Sequence, residues 1–313
     1  MTMRILVLGA GGTGGYFGGR LAQAAVDVTF LVRPARAAQL DAEGLVIRSP
    51  LGDAQLPVRH LVAAQLAAAA GAEPFDLVLL SCKAYDLDSA IEAIAPAVGE
   101  HTAVLPILNG LRHFEALDRR FGAERVLGGL CFISAAKSAG GEVLHMGKPA
   151  SITFGERAGE AHSARCQAIA AAFARAGVEH KHSTRILADL WIKYSFLTTL
   201  AAATCLMRAS VGTIIAADGR DFVERLYAEC VAVATAAGWP IPAPAQDDAL
   251  GMLTRAGSPV TASMLRDLES GQRIEGEHIV GDMLRRARAA GQEAPLLSIA
   301  LSHLRAYELR RQG

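Results

Sequence analysis

Three glycines near the N-terminus have the spacing GxGxxG: Gly9, Gly11 and Gly14. They follow the apolar run of residues 4–8 and precede a small-residue segment that predicts a helix from about Tyr16. In such a unit the first glycine permits a sharp turn, the second lets the backbone approach a pyrophosphate, and the third allows close packing of helix and strand. The alternative is a purely structural turn. The pattern favours dinucleotide binding by the loop residues Gly9, Ala10, Gly11, Gly12, Thr13 and Gly14.

An arginine stands where NAD-binding proteins usually carry an acid. Arg33 follows the β-rich run of residues 28–32, and an Asp or Glu about 20 residues after the glycine loop usually binds the ribose 2′-hydroxyl. A guanidinium at this place attracts a 2′-phosphate instead, and Arg36 is a second cation close by. No competing acid is evident, so the sequence favours NADPH; the alternative is a solvated surface arginine.

Two polar residues end further strand patterns. Lys83 follows residues 76–82, and Asn109 follows residues 102–108. The carboxyl ends of parallel strands form the rim at which open α/β sheets bind their ligands. We therefore predict that both side chains face the cofactor region, although a lysine ending a strand is often simply solvated and Asn-Gly is an ordinary turn signal.

One lysine, Lys193, interrupts the otherwise apolar helix pattern of residues 189–196. Its side chain could extend along the helix to reach solvent. A lysine held in a cleft could instead donate a hydrogen bond and a proton to a carbonyl oxygen that gains negative charge. The pattern alone leaves both interpretations open.

The elements that must position these residues fall into two domains. Alternating strands and helices predict a doubly wound parallel sheet of the Rossmann type, an α/β fold. Period-2 patterns over residues 127–155 predict extra strands at its edge, completed by a helix and a short strand before residue 183. We place the nucleotide-binding domain at residues 1–183 and an all-helical domain at 184–313, with helices over 185–207, 219–237, 259–269, 275–290 and 296–311.

Composition limits the function classes. The chain has 31 acidic and 31 basic residues, so no basic field favours nucleic acid or an anionic membrane. No secretory signal is visible, and the longest apolar helical stretch is shorter than the roughly 20 residues that span a bilayer. The pair His180 and His182 lies on one face of a predicted strand, and two such histidines are usually solvated, so we expect no metal site. These features predict a cytoplasmic protein with a small-molecule substrate, and apolar last helices are compatible with a homodimer.

Several separated motifs together resemble the ketopantoate reductase (2-dehydropantoate 2-reductase) family over nearly the whole chain. Any one of them is weak, but their order and spacing are specific. They are the glycine loop, Arg33, Ser81-Cys82-Lys83, Leu108-Asn109-Gly110, Leu190-Trp191-Ile192-Lys193, Ser263-Met264-Leu265-Arg266-Asp267, Arg273-Ile274-Glu275, and Arg285-Arg286-Ala287-Arg288 with Pro295 beyond.

The resemblance implies reduction of a 2-oxo acid by NADPH, in a cleft between a Rossmann domain and a helical domain, and a place in pantothenate biosynthesis. Lys193 would be the general acid. Lys83 and Asn109 would lie near the nicotinamide and the substrate. Ser263 would contact the substrate carboxylate, and Glu275, beside the cofactor, would bind a substrate hydroxyl; without the resemblance, Ser263 and Glu275 also fit plain helix positions.

Two departures from the family pattern concern the substrate. Members that reduce ketopantoate typically carry asparagines four and eight residues after the lysine, whereas this chain has Leu197 and Ala201. Those positions lie about 40° and 80° round the helix from Lys193, so they share its face. Gly276-Glu277-His278 also replaces a more usual Ile-Asp-Tyr-like run. The alternatives are a reductase of a more apolar oxo acid or ketone, and a catalytically silent NADP-binding sensor, against which Lys193 and Glu275 count.

Overall fold

The computed structural model describes residues 3–312. The chain folds into two compact units. The first comprises the residues up to Leu108 together with His113–Ile186, and the second comprises Asn109–Arg112 together with the residues from Leu187 onward. The short segment Asn109–Arg112 therefore packs with the helical unit, although it follows a strand of the first unit.

The first unit is built on a five-stranded parallel sheet with the order β5-β2-β1-β6-β7. Its central strands are buried along most of their length, as expected for a sheet covered on both faces. The predicted Rossmann-type sheet is confirmed. The strands are β1 (Arg4–Leu8), β2 (Asp27–Leu31), β5 (Arg59–Leu61), β6 (Leu77–Leu80) and β7 (Ala103–Pro106), and the helices of this unit are α1 (Gly12–Gln23), α2 (Pro34–Glu43), α3 (Ala63–Ala72), α4 (Leu87–Ile94), α5 (His113–Phe121) and α6 (Ala164–Arg175).

A second sheet corrects the prediction that residues 127–155 lie at the edge of the parallel sheet. They form an antiparallel hairpin that pairs with other strands, in the order β10-β9-β3-β4 with β8 on β9. Its strands are β3 (Leu45–Arg48), β4 (Ala54–Leu56), β8 (Gly128–Lys137), β9 (Val143–Gly155) and β10 (Glu179–His182). The buried strand β3 pairs in parallel with β9 and gives the hairpin a sheet of its own.

Helix α1 packs against this second sheet because its glycines leave room for it. A Cβ at Gly15 would lie 2.6 Å from Val143 Cγ2, and one at Gly19 would lie 2.6 Å from Ile47 Cδ1. A side chain at either position would require the helix or the contacted side chain to shift. The glycine-rich stretch of the sequence thus has a packing role that extends beyond the nucleotide loop.

The second unit is helical, as predicted. Two of its helices, α8 and α10, were not predicted; α8 follows Ser210, whose side chain accepts the amide of Thr213 as an N-cap, and α10 follows Pro242. The predicted helix over 275–290 is a π-helical turn, Glu277–Gly281, continued by α12. The helices are α7 (Ile186–Met207), α8 (Val211–Ala216), α9 (Arg220–Ala236), α10 (Ala243–Leu253), α11 (Ser263–Glu269), α12 (Asp282–Ala289) and α13 (Pro295–Gln312).

Helix α7 has the predicted bounds to within one residue, but its apolar stretch is longer than the sequence pattern indicated. In the described part of the chain it is the one helix long and apolar enough to cross a membrane by length and composition. However, 72% of its most apolar window is buried inside the protein. That burial is typical of the core helix of a folded domain.

Candidate active site

The glycine loop turns directly from β1 into α1. Gly9 has φ +82°, a conformation that L side chains rarely adopt, and α1 begins at Gly12 with Gly11 as its N-cap. The predicted helix start near Tyr16 was wrong because the low helix propensity of glycine hides a helix that begins inside the motif. No side chain caps this N-terminus, so the first amides of the helix are left for another acceptor.

The glycines of the motif serve different purposes. A Cβ at Gly14 would collide with Ser81 Oγ and would lie 2.7 Å from the carbonyl oxygen of Gly9, so Gly14 is required by packing. Gly11 has φ −88°, and a Cβ there would meet no atom within 4 Å. The fold therefore does not require a glycine at position 11, whereas a pyrophosphate lying against the backbone does. The loop thus fits a dinucleotide.

Arg33 lies two residues after the end of β2 and is the N-cap residue of α2, with its side chain 80% exposed. Its Nη2 lies 3.3 Å from Oδ2 of Asp86, on a 3₁₀ turn, Ala84–Asp86, that follows β6. The expectation that no acid competes for Arg33 was wrong, because Asp86 comes close only through the fold. An exposed ion pair contributes about 0–1 kcal/mol, so the guanidinium can exchange Asp86 for a phosphate.

Arg36 has a different role from Arg33. It is half-buried, and its Nε donates a hydrogen bond to the carbonyl oxygen of Ala10 at 3.2 Å. Burial lowers the pKa of Arg36, and the nearby Glu43 partly opposes this effect. Arg36 thus stabilises the glycine loop through the carbonyl group of Ala10.

Lys83 lies at the same sheet edge as the glycine loop. It is half-buried and precedes the 3₁₀ turn that carries Asp86. Because β1 and β6 pair in parallel, the segments that follow them emerge side by side, and Ser81 Oγ donates a hydrogen bond to the carbonyl oxygen of Leu8 at 3.2 Å. The structure therefore brings Lys83 to the rim where α/β sheets bind ligands.

In the second unit, the structure joins two residues that the sequence pointed to separately. Lys193 on α7 is only 9% exposed, so its side chain is not a solvated surface lysine. Its Nζ donates a hydrogen bond to Oδ1 of Asn109 at 3.2 Å. An ammonium group and a carboxamide at this distance can both contact one carbonyl oxygen.

Glu275 lies in the same region of the second unit. It is 7% exposed, and its backbone carbonyl accepts the amides of His278 and Ile279 at the start of the π-helical turn. Its charge acts on His278, whose imidazole also hydrogen-bonds the backbone of Asn109. Glu275 and Asn109 therefore both act on one imidazole.

Ser263 does not lie beside Lys193 but near a later part of α7. It is the first residue of α11, is half-buried, and follows Ala262, whose amide donates to Thr204 Oγ1 at 3.4 Å. Thr204 is eleven residues after Lys193, which is about 16 Å along the helix axis. Ser263 is thus beside the C-terminal half of α7.

The α7 face between these points is apolar. Leu197 is half-buried and Ala201 is buried. Since α7 is a continuous α-helix from Ile186 to Met207, both residues keep the angular positions near Lys193 that the sequence indicated. Leu197 and Ala201 therefore offer a substrate no side-chain hydrogen bond.

The sequence did not predict a buried hydrogen-bond network around Tyr194, the residue next to Lys193. Tyr194 Oη donates to the carbonyl oxygen of Ile279 at 2.8 Å and to Asp282 Oδ2 at 3.1 Å. Asp282 also accepts Arg285 Nη2 at 2.5 Å and Arg286 Nε at 2.8 Å. Burial, followed by the charge of Asp282, raises the pKa of the Tyr194 phenol well above its usual range. The Asp282, Arg285, Arg286 spacing is a helical ion-pair pattern that could have revealed the carboxylate, but its tyrosine partner could not be foreseen.

Two family descriptions cover most of the chain. Residues 5–159 match the ketopantoate reductase PanE/ApbA family, and residues 185–308 match the C-terminal domain of ketopantoate reductase PanE/ApbA. The chain is 37% identical over 310 residues to a Bacillus subtilis protein named uncharacterized oxidoreductase YkpB, covering 99% of this chain and 100% of that protein. It is 31% identical over 297 residues to 2-dehydropantoate 2-reductase of Halobacterium salinarum, covering 94% and 95% of the two chains.

A solved structure agrees with these matches. The crystal structure of 2-dehydropantoate 2-reductase from Geobacter metallireducens superposes with a TM-score of 0.87 at 31% identity, covering 97% of this chain and 99% of that one. Enzymes of this family use NADPH, which the glycine loop fits. The chain therefore belongs to the ketopantoate reductase family and is an NADP-dependent oxidoreductase.

Proposed function

We propose that this enzyme reduces the carbonyl group of a small 2-oxo acid, with Lys193 as the general acid. The observation that carries the proposal is the buried ammonium of Lys193, held on the Asn109 carboxamide at 3.2 Å in a chain of this family. A buried lysine needs a polar task, because burial without a partner is costly. Protonating the alkoxide that forms from a carbonyl group is such a task.

The residues divide the work as follows. The loop amides from Gly9 to Gly14 would hold the pyrophosphate of NADPH and Arg33 its 2′-phosphate. When bound, NADPH supplies the hydride for the carbonyl carbon. Lys193 would donate a hydrogen bond to the carbonyl oxygen and then transfer its proton as negative charge develops there. Asn109 holds the ammonium in place and, with Lys83 and Glu275, would border both the nicotinamide and the substrate.

The substrate would be held by polar groups at its two ends. Ser263 and Lys83 would orient the carboxylate, and Glu275 would bind a distal polar group such as the hydroxyl of ketopantoate. With ketopantoate as substrate, the enzyme would act in pantothenate biosynthesis.

Purified enzyme should then oxidise NADPH, followed at 340 nm, when ketopantoate is added. Absence of turnover with every member of a 2-oxo acid panel would refute the proposal.

A second candidate is a more apolar 2-oxo acid. Leu197 and Ala201 support it, because the helix face beside Lys193 lacks the asparagines expected of ketopantoate reductases. The same panel distinguishes the candidates if it includes 2-oxoisovalerate and phenylglyoxylate, which lack the hydroxyl of ketopantoate.

A homodimer and a cytoplasmic location stay predictions of the sequence.

Leu197→Asn should shift the preference toward ketopantoate. The position is half-buried, so an amide fits with little loss of packing, and a hydrogen bond to the substrate hydroxyl is worth about 1 kcal/mol, or roughly fivefold in kcat/KM. The measurement is the ratio of kcat/KM for ketopantoate to that for 2-oxoisovalerate, in wild type and variant. Leu197→Met is the apolar control and should leave the ratio unchanged. A ratio that Leu197→Asn leaves unaltered would show that this face does not contact the part of the substrate beyond the carbonyl.

Arg33→Asp should narrow the preference for NADPH over NADH. The guanidinium would lose charge-assisted hydrogen bonds to the 2′-phosphate, each worth about 1.5–3 kcal/mol, so we expect NADPH to bind roughly 10- to 100-fold more weakly. Asp86→Asn is the matched control, since it removes the ion pair and keeps Arg33. It should tighten NADPH binding by no more than about fivefold, the limit for an exposed pair. Fluorescence titration at moderate salt measures both constants, and wild-type enzyme binding NADH as tightly as NADPH would contradict the assignment.

A further inference from the structure

The π-helical turn Glu277–Gly281 carries His278, whose ring lies against the Asn109-Gly110 turn. Turns of this kind insert one extra residue into a helix and often occur at functional sites. The side chain of His278 is only 8% exposed. The proposed chemistry gives it no role, so its position needs an explanation.

His278 contacts the segment that carries Asn109 in two ways. Its imidazole hydrogen-bonds the Asn109 backbone, and this bond favours the protonated ring, so the ring donates and the carbonyl accepts. Gly110 lies against the ring: a Cβ there would be 3.1 Å from His278 Cδ2, and its φ of +80° already suits only glycine. The Asn109-Gly110 turn therefore packs closely against the imidazole, and a side chain at position 110 would crowd the ring.

Burial favours the neutral form of the His278 ring, and the charges around it have opposing effects. Burial has the largest effect and lowers the pKa of His278, assisted by Arg112 on the Asn109–Arg112 segment. Glu275 and Asp282, which flank the π-helical turn, partly oppose it, while Glu277 on the same turn is paired with Arg305 of α13. A neutral ring keeps one N–H for the Asn109 carbonyl and adds no second cation beside Lys193.

We infer that His278 is a positioning residue, which fixes the backbone of Asn109 and, through the Asn109 side chain, the ammonium group of Lys193. The chain of contacts is continuous, from the imidazole to the Asn109 carbonyl and from Asn109 Oδ1 to Lys193 Nζ. The inference rests on the proposed function, since it gives Lys193 its task. It adds a residue that acts on the reaction without touching the substrate.

His278→Leu removes the donor, and we expect kcat to fall by about 10- to 100-fold, since small misplacements of catalytic groups are costly. The Kd for NADPH should not change. His278→Asn and His278→Gln each place an amide N–H near one of the two ring nitrogens, and one of them should restore most of kcat. Glu277→Gln, on the same turn but exposed, is the control and should match wild type. Equal losses in the leucine and both amide variants would show that only ring packing matters and would overturn the inference.

A double-mutant cycle tests whether His278 acts through Asn109. If it does, His278→Leu should lower kcat by no more than about twofold in an Asn109→Ala background, because coupled residues are not additive. The full effect of His278→Leu persisting in that background would contradict the inference.

A third readout needs no substrate and separates this inference from the proposed function. The chain has five lysines, so reductive ¹³C-methylation gives few NMR signals, and Lys193→Ala assigns that of Lys193. His278→Leu should shift the Lys193 signal, whereas Glu277→Gln and one amide variant should leave it at the wild-type position. Wild-type enzyme that turns over no 2-oxo acid refutes the proposed function alone. A Lys193 signal unchanged in His278→Leu, or displaced equally in both amide variants, refutes the role of His278; the amide variants serve alone if leucine prevents folding.

Discussion

Gly11→Val should abolish NADPH binding, weakening it by at least about 100-fold, while leaving the fold intact. The backbone of Gly11 is extended, with φ −88° and ψ −160°, a region that β-branched residues favour. Its Cβ would enter open space, so no packing is lost. The isopropyl group would fill the volume that the pyrophosphate needs, and the phosphate contacts of the helix N-terminus would be lost with it.

The neighbouring Gly14 offers the matched control for this prediction. Gly14→Ala places a Cβ against Ser81 Oγ and the Gly9 carbonyl, so it should destabilise the unit by about 1–3 kcal/mol, as overpacking does. Thermal unfolding and fluorescence titration measured together distinguish the variants: Gly11→Val loses NADPH and keeps its Tm, whereas Gly14→Ala loses Tm. Wild-type affinity in Gly11→Val would remove the loop from the cofactor site.

Lys193→Ala should lower kcat by roughly 10² to 10⁴ and leave the Kd for NADPH unchanged. The lysine belongs to the second unit, where it donates a hydrogen bond to Asn109, whereas the phosphate loop belongs to the first unit. Its loss removes both the proton donor and the charge that stabilises the developing alkoxide. A change confined to KM would instead mean that the ammonium binds substrate and transition state equally.

Two further substitutions sharpen this test. Lys193→Met keeps the volume of the buried side chain and removes only its charge and donors, so it should be as inactive as Lys193→Ala. Lys181→Ala removes an exposed lysine on β10 and should behave as wild type. High activity in Lys193→Met would show that the alanine variant fails through a cavity.

The sequence predicted the parts of the fold whose signals are local. Four strands of the parallel sheet, β1, β2, β6 and β7, are largely apolar runs that were predicted to within two residues, whereas the three-residue strand β5 was not predicted. The second sheet was not predicted as a separate sheet, because β3 and β4 have only four and three residues and leave too short a pattern to identify. A π-helical turn cannot be read from a pattern, since its extra residue follows from packing and not from periodicity.

The same division applies to the candidate site. Lys193, Asn109 and the glycine loop each stand out within a few residues, as an isolated charge, a strand end and a fixed spacing. Asp86 and His278 do not stand out in the sequence, because each interacts with a partner that is distant in the chain. Asp86 pairs with Arg33, and His278 hydrogen-bonds the Asn109 backbone. A single sequence carries no record of such pairs, so only the fold reveals them.

The most direct test of the central claim is the pH profile of kcat/KM for wild type beside Lys193→Ala, on whichever 2-oxo acid the enzyme reduces. For a general acid, wild-type kcat/KM should fall as the pH rises through the pKa of Lys193, because only the ammonium form has a proton to donate. The variant should be roughly 10² to 10⁴ slower and should lack that limb of the profile. A variant that reduces the same substrate at the wild-type rate with an unchanged profile would show that Lys193 is a structural lysine and that the proposed mechanism is wrong.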